Sequence, residues 1–314
     1  MVWLIGYKGM LGSEIAKQLT ENKIDWIGSD KDVDITNPAE LSKFAHNHGT
    51  AAGRTGISVA RGTVPEKITW VINCAAYTAV DKAEEDSELA EKLNAEGPKN
   101  IARITRELGA KLIHISTDYV FDGTGNFPYT EDMLKCPDSV YGRTKAAGED
   151  FVEKEMTQYY ILRTAWLYGF DGKNFVYTMT KAMNSKDEVS VVCDQKGTPT
   201  FAGDLAKVIL QIIDDKTVSY GTYHVTDLGE ITWWDFTNEI KKQGIEAGWI
   251  NEKGKNCVVN PCTTDEYPTP AKRPAYSVLS KDKIQKTLGI KLPDWKESLS
   301  KFLNSDLFDR SRLL

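Results

Sequence analysis

The stretch Val2-Trp3-Leu4-Ile5-Gly6-Tyr7-Lys8-Gly9-Met10-Leu11-Gly12 decides the fold class of this chain. Four apolar residues run straight into a glycine-punctuated turn, which predicts a short buried strand over Val2–Ile5. The run is too short for a signal peptide. Beyond the turn, Leu11, Ile15 and Leu19 recur at helical spacing and share one face, so a helix is predicted over Leu11–Leu19.

The same alternation continues downstream. Further strands are predicted at Trp26–Ser29, Trp70–Cys74, Lys111–Ser116 and Tyr160–Thr164, with helical patterns between them, including Pro38–Phe44. Strands that alternate with helices build a parallel sheet covered on both faces. The second half is less regular, with a helix at Gly203–Asp214, a strand at Thr222–Thr226, a helix from Trp233 and proline-rich turns over Pro261–Pro274. The expected architecture is therefore α/β, a Rossmann-type doubly wound parallel sheet over residues 1–165 to which later strands return. Residues 166–314 are expected to form mainly a smaller, interleaved C-terminal substrate lobe. Gly49–Glu66, rich in Gly, Ala, Thr and Arg, breaks the rhythm and is expected to be a mobile surface loop, with a hairpin through Ile57–Val64.

Composition narrows the function classes. The 314 residues are 41% apolar, enough for one large domain and a smaller lobe. With 39 basic and 45 acidic residues the surface is mildly negative, which argues against nucleic acid or an anionic membrane as the partner. No stretch approaches a membrane span. Five cysteines without CxxC spacing fit a reducing compartment, hence a cytoplasmic location. There are four histidines, and His46 and His48 lack a third ligand, so no zinc site is assigned.

The glycine turn has GxxGxxG spacing and opens a helix. Small residues there let the backbone amides of Gly6, Lys8, Gly9, Met10, Leu11 and Gly12 approach a pyrophosphate at the positive helix end. Asp30, at the end of the second strand, stands where a carboxylate accepts hydrogen bonds from an adenosine ribose. Asp34 and Ile35, just downstream, complete that side of the expected cofactor site. Ala75, Ala76 and Tyr77 end the next strand, where small side chains let a flat cofactor pass. Asp30 repels a 2′-phosphate while Lys31 offsets that repulsion, so NADH or NADPH is expected, with NADH slightly favoured.

The chemistry concentrates in Ser116-Thr117-Asp118-Tyr119-Val120-Phe121 and, 24 residues after Thr117, Tyr141-Gly142-Arg143-Thr144-Lys145. On a helix, Tyr141 and Lys145 fall one turn apart on one face. A free tyrosine is a reluctant acid–base group, and a neighbouring ammonium favours its phenolate. Lys145 is thus expected to lower the Tyr141 pKa and to hold the nicotinamide ribose. Thr117, leaving its strand at the carboxyl end, can hydrogen-bond the reacting oxygen.

Together with Arg163–Gly169, Asp194–Thr200 and Arg273–Leu279, these motifs resemble the extended short-chain dehydrogenases, and within them the dTDP-4-dehydrorhamnose reductases, over nearly the whole length. The resemblance implies NAD(P)H-dependent reduction of the 4-keto group of dTDP-4-dehydro-L-rhamnose to dTDP-L-rhamnose. Thr117, Tyr141 and Lys145 would be catalytic. It implies substrate contacts at Trp166, Asn174, Phe175 and Arg273, whose planar guanidinium suits a phosphate of the sugar nucleotide. Thr117, Asp118 and Tyr119 complete the expected substrate set, and the assembly is a monomer or homodimer. Some relatives form magnesium-bridged dimers; Glu14 and Asp204 resemble two of the ligand positions, but no third is placed and no metal is assigned. Two other readings share the scaffold. A nucleotide-sugar epimerase or 4,6-dehydratase is one, although a dehydratase needs a second acid beside Asp118. The other is a non-catalytic subunit like the regulatory subunit of methionine adenosyltransferase, which the intact Thr117, Tyr141 and Lys145 disfavour.

Overall fold

A computed structural model describes residues 1–49 and 67–313. The loop and hairpin expected over Gly49–Glu66 lie outside the described residues, except that Gly49 itself closes a helix.

The first strand, β1 (Val2–Ile5), is buried along its whole length. Its alternating side chains serve two cores: Val2 and Leu4 pack with Leu11, Ile15 and Leu19, whereas Trp3 and Ile5 pack with Leu41, Ile101 and Val152. Burial on both faces is why the strand reads as an unbroken apolar run. The chain continues through α1 (Met10–Glu21), β2 (Trp26–Ser29), α2 (Pro38–Gly49), β3 (Trp70–Asn73), α3 (Val80–Glu85), α4 (Ser87–Glu91), α5 (Gly97–Glu107), β4 (Lys111–Thr117), α6 (Val140–Glu155) and β5 (Tyr159–Thr164). The second half adds β6 (Leu167–Tyr168), α7 (Phe175–Ser185), β7 (Glu188–Val192), β8 (Lys196–Gly197), β9 (Thr200–Phe201), α8 (Ala202–Asp214) and β10 (Gly221–His224). It closes with β11 (Ile231–Thr232), α9 (Trp233–Glu246), α10 (Glu252–Asn256), β12 (Val258–Cys262), α11 (Asp282–Leu288) and α12 (Trp295–Leu303).

Six strands form one parallel sheet in the order β2-β1-β3-β4-β5-β10. Helices α1 and α8 cover one face and α2, α5 and α6 the other. The sixth strand comes from the second half of the chain, and Leu205, Ile209 and Tyr223 share the core of Val2 and Leu4. A separate aromatic core, with Tyr168, Phe236 and Phe302 fully buried, joins α7, α9 and α12. The sheet order reverses between β1 and β3, and a crevice at such a switch point is the usual ligand position in open parallel sheets. Among the described residues no helix is long and apolar enough to cross a membrane.

Candidate active site

The glycine turn lies at the carboxyl end of β1, against the end of β3. Gly6 has φ +77°, a conformation open to glycine, and a Cβ there would stand 2.9 Å from the Ala75 nitrogen. A Cβ on Gly12 would stand 2.1 Å from the Gly6 carbonyl oxygen, so the helix starts this close to the turn only without a side chain. Gly9 is the N-cap of α1 and offers no side-chain cap, leaving the first helical amides available to an anion. The side chains here turn elsewhere: Leu11 enters the core, and Met10 packs near Gly169. Asp30 follows β2 directly, and its carboxylate accepts from the Lys8 amide at 3.1 Å and the Lys31 amide at 2.7 Å. Exposed Asp34 accepts from the amide and hydroxyl of Thr36, both at 2.8 Å, while Ile35 is buried against Gly97. These residues fit a dinucleotide, with the glycine turn for its phosphates and Asp30 beside its ribose.

Ala75, Ala76 and Tyr77 leave the carboxyl end of β3 half-buried. Two asparagines brace them. Asn73 accepts from the Ala75 amide at 3.0 Å, and Asn94 accepts from the Tyr77 amide at 2.8 Å. Asn94 lies in a single π-helical turn over Lys92–Glu96 and also donates to Thr144 Oγ1 at 3.1 Å. One buried amide thereby ties the β3 end to the helix that carries Tyr141 and Lys145.

That helix, α6, begins where Ser139 caps it by accepting from the Gly142 amide at 3.1 Å. Tyr141 thus sits in the first turn, with its ring edge-on to Tyr119 at 5.4 Å between centroids. Thr117, at the end of β4, donates to Asp118 Oδ1 at 2.9 Å, and burial pushes the Asp118 carboxyl up to about 6. Lys145 is 2% exposed and donates to the Ile115 carbonyl at 2.6 Å. Burial draws its ammonium down to about 8, with Glu149 opposing. The expectation that Lys145 lowers the Tyr141 pKa is not met. Burial raises the phenol well above its ordinary value, Thr117 opposes only in part, and the ammonium is directed to the Ile115 carbonyl. A raised phenol pKa favours the protonated form, which is the form a proton donor needs.

A cleft of about 440 Å³ reaches this group through Tyr119 and is lined also by Trp166, Phe175, Met179, Trp233 and Arg273; Thr117, Tyr141 and Lys145 are not in its lining. Its volume suits a drug-sized or nucleotide-sized molecule. Trp166 and Trp233 stack face to face, with centroids 3.5 Å apart and planes 10° from parallel. Trp166 is also a non-glycine residue with φ +46°, backbone strain of order 1–3 kcal/mol that the surrounding packing must hold. Asn174 does not line the cleft. It caps α7, accepting from the Tyr177 amide at 3.2 Å and donating to the Gly169 carbonyl at 2.7 Å.

Glu14 and Asp204, the positions resembling metal ligands, are buried side chains of α1 and α8. Asp204 accepts from Ser298 at 2.7 Å and is paired with Lys207 and Lys301. Among the described residues no cluster of three or more His, Cys, Asp or Glu side chains could hold a metal.

Sequence reasoning missed Asn94, Asp81 and Trp233. The Thr232-Trp233-Trp234-Asp235 run is a capping box that announces a helix start, with no hint that Trp233 faces Trp166. Asp81 and Asn94 lie in charged helical stretches that read as ordinary surface.

The family model described as the RmlD substrate binding domain matches residues 1–307. The chain is 40% identical, over 95% of its length and 93% of the relative, to a probable dTDP-4,6-dihydroxy-2-methyloxan-3-one 4-ketoreductase of Streptomyces antibioticus. It is 34% identical to the dTDP-4-dehydrorhamnose reductase of Escherichia coli (strain K12), over 96% of this chain and 97% of that one. Among solved structures, a dTDP-4-dehydrorhamnose reductase from Clostridium acetobutylicum matches with TM-score 0.84 and 45% identity, covering 96% of this chain and 98% of that one. The Bacillus anthracis dTDP-4-dehydrorhamnose reductase in complex with NADP matches with TM-score 0.82 and 35% identity, covering 96% and 97% respectively.

Proposed function

The chain belongs to the RmlD substrate binding domain family, and from that premise we propose that it is a dTDP-4-dehydrorhamnose reductase, reducing the 4-keto group of dTDP-4-dehydro-L-rhamnose to dTDP-L-rhamnose. The observation that supports this reading is that Thr117 ends β4 beside Asp118, that Tyr141 opens α6 edge-on to Tyr119 of the cleft wall, and that Lys145 lies one turn further along α6, bonded to the Ile115 carbonyl.

The nicotinamide, when bound, supplies the hydride. This chain's residues manage the rest. The amides of Met10, Leu11 and Gly12 at the start of α1 hold the phosphates, Gly6, Lys8 and Gly9 shape the turn before them through their own bonds to Ser29, Asp30 and Gly6, and Ala75, Ala76 and Tyr77 give the dinucleotide its passage over β3. Tyr141, kept protonated by burial, donates its proton to the oxygen that develops negative charge at C4. Thr117 turns its hydroxyl proton from Asp118 Oδ1 to the same oxygen, and Lys145 supplies positive charge behind the phenol. Trp166, Phe175 and Trp233 offer apolar surface to the base and sugar, and Arg273 takes the diphosphate. Asp118 and Tyr119 shape the wall next to the sugar, while Asn174 acts through the α7 start that carries Phe175.

Both nicotinamide cofactors are accepted, with NADH modestly favoured. Asp30 disfavours a 2′-phosphate, but its charge is already engaged by two amides, and the NADP complex of the Bacillus anthracis relative fits tolerance of the phosphorylated form. Five free thiols fit a reducing, cytoplasmic setting, and one chain supplies every group named, so a monomer or a homodimer would be competent. The test follows oxidation of NADH and NADPH with dTDP-4-dehydro-L-rhamnose, and with the keto sugar named for the Streptomyces relative. No oxidation of either cofactor by folded protein would overturn the assignment; turnover of only the second sugar would correct the substrate.

A further inference from the structure

Arg273 is engaged by the protein itself at the wall of the cleft. Its Nη2 lies 2.6 Å from Asp81 Oδ2, and its Nη1 donates to the Tyr119 hydroxyl at 3.2 Å. Asp81 comes from α3, far away in sequence, and its other oxygen accepts from the Ala271 amide at 3.2 Å. A single carboxylate therefore holds both the backbone and the guanidinium of the 271–273 segment. Lys272 fastens the same segment on the other side through Asp138, beside the Ser139 cap of α6.

The ion pair is neither bathed in water nor sealed: the Arg273 side chain is 20% exposed and that of Asp81 is 40% exposed. Both residues line the cleft. A second anion on the same guanidinium stands within about 4–6 Å of the Asp81 charge, a spacing at which like charges clearly disfavour each other near a protein surface. Arg273 has further N–H donors to offer, so geometry does not forbid the anion. Charge sets the cost.

We propose that Asp81 is a specificity-determining residue of the cleft: an internal anion on Arg273 that an incoming diphosphate must displace or outweigh. This rests on the reading of the cleft as a sugar-nucleotide site with Arg273 facing the phosphates. A ligand with two adjoining phosphates brings enough charge and donor demand to compete, whereas a small singly charged anion does not. Asp81 thus keeps the arginine oriented through their ion pair and the bond from the Ala271 amide while filtering what reaches it.

The test is the dissociation constant of dTDP, measured by calorimetry, for wild type, Asp81→Asn, Asp81→Ser and Arg273→Gln. Cofactor affinity and the unfolding temperature are read in parallel as controls for fold. Removing the Asp81 charge is expected to tighten dTDP binding about tenfold in both variants, with KM for the sugar nucleotide falling alongside. Arg273→Gln is expected to weaken dTDP binding at least tenfold. If Arg273→Gln weakens binding but neither Asp81 variant tightens it, the proposal fails and the diphosphate reading of Arg273 stands. If Arg273→Gln leaves dTDP affinity unchanged, that reading fails and takes the proposal with it.

Discussion

Glu149 stands one helical turn beyond Lys145 on α6 and closes both carboxylate oxygens on Arg163, at 2.9 and 2.7 Å. All three are nearly inaccessible, Lys145 at 2%, Glu149 at 0% and Arg163 at 3% exposure. Burial works against the charge of Glu149, but Arg163 and Lys135 hold its carboxyl below the usual range. The carboxylate in turn supports the buried ammonium of Lys145.

This pairing sets the alkaline behaviour. Burial holds Lys145 near 8, so kcat/KM is expected to fall as pH rises through about 8 and the ammonium is lost. Glu149→Gln removes the charge that opposes burial, so the alkaline limb should move to lower pH. The variant also leaves Arg163 without its partner, at a cost of about 3–5 kcal/mol, so profiles belong at a temperature where unfolding curves show it folded. The stability from Glu149 has its own sign: with a depressed folded-state pKa, it is fully present above the ordinary carboxylate range and lost as pH falls below that range through the folded-state value. An alkaline limb in the same place for both proteins would rule out the support of Lys145 by Glu149.

Tyr141→Phe removes the proposed proton donor while keeping the ring that meets Tyr119 edge-on. Turnover should drop by about 10²–10⁴-fold, the usual contribution of general acid–base catalysis, with cofactor affinity roughly retained. Steady-state kinetics with fluorescence titration of the cofactor separates the two. Turnover within threefold of wild type would remove Tyr141 from the mechanism.

Gly12→Ala tests the phosphate cradle, because the new Cβ would overlap the Gly6 carbonyl oxygen. The turn must shift, at a cost of about 1–3 kcal/mol in stability, and cofactor affinity should weaken at least tenfold. Thermal melts and cofactor titration read both effects. Unchanged affinity would mean that the dinucleotide does not lie on this turn.

Asp30→Ala tests cofactor choice. The carboxylate is held at the β2 end by the amides of Lys8 and Lys31, while the Lys31 side chain is exposed and well solvated. In wild type kcat/KM should favour NADH by less than about tenfold, and the substitution should move the ratio toward NADPH. A preference for NADPH that Asp30→Ala leaves in place would show that Asp30 does not read the ribose.

Local periodicity determined the sheet. The expected strands over Val2–Ile5 and Trp26–Ser29 have the observed bounds, and the next three differ by a residue at one end. Strands buried on both faces leave an apolar run that any register preserves. The helix from Pro38 runs on to Gly49, past Phe44, and the ring nitrogens of His46 and His48 lie against the carbonyls of Ser42 and Phe44. The strand expected at Thr222–Thr226 is Gly221–His224, and its place beside β5 is a long-range pairing that no local pattern encodes.

Residue order over a few turns is enough to read the doubly wound α/β class, the glycine turn at the head of α1 and the one-turn spacing of Tyr141 and Lys145. Long-range packing sets the rest: Lys145 reaches the Ile115 carbonyl, burial raises the Tyr141 phenol, Trp233 stacks on Trp166 and Asp81 meets Arg273. The physical reason is the same in each case. Desolvation and side-chain pairing depend on which distant segments are packed together, and the sign of a pKa shift follows from those neighbours rather than from spacing along the chain.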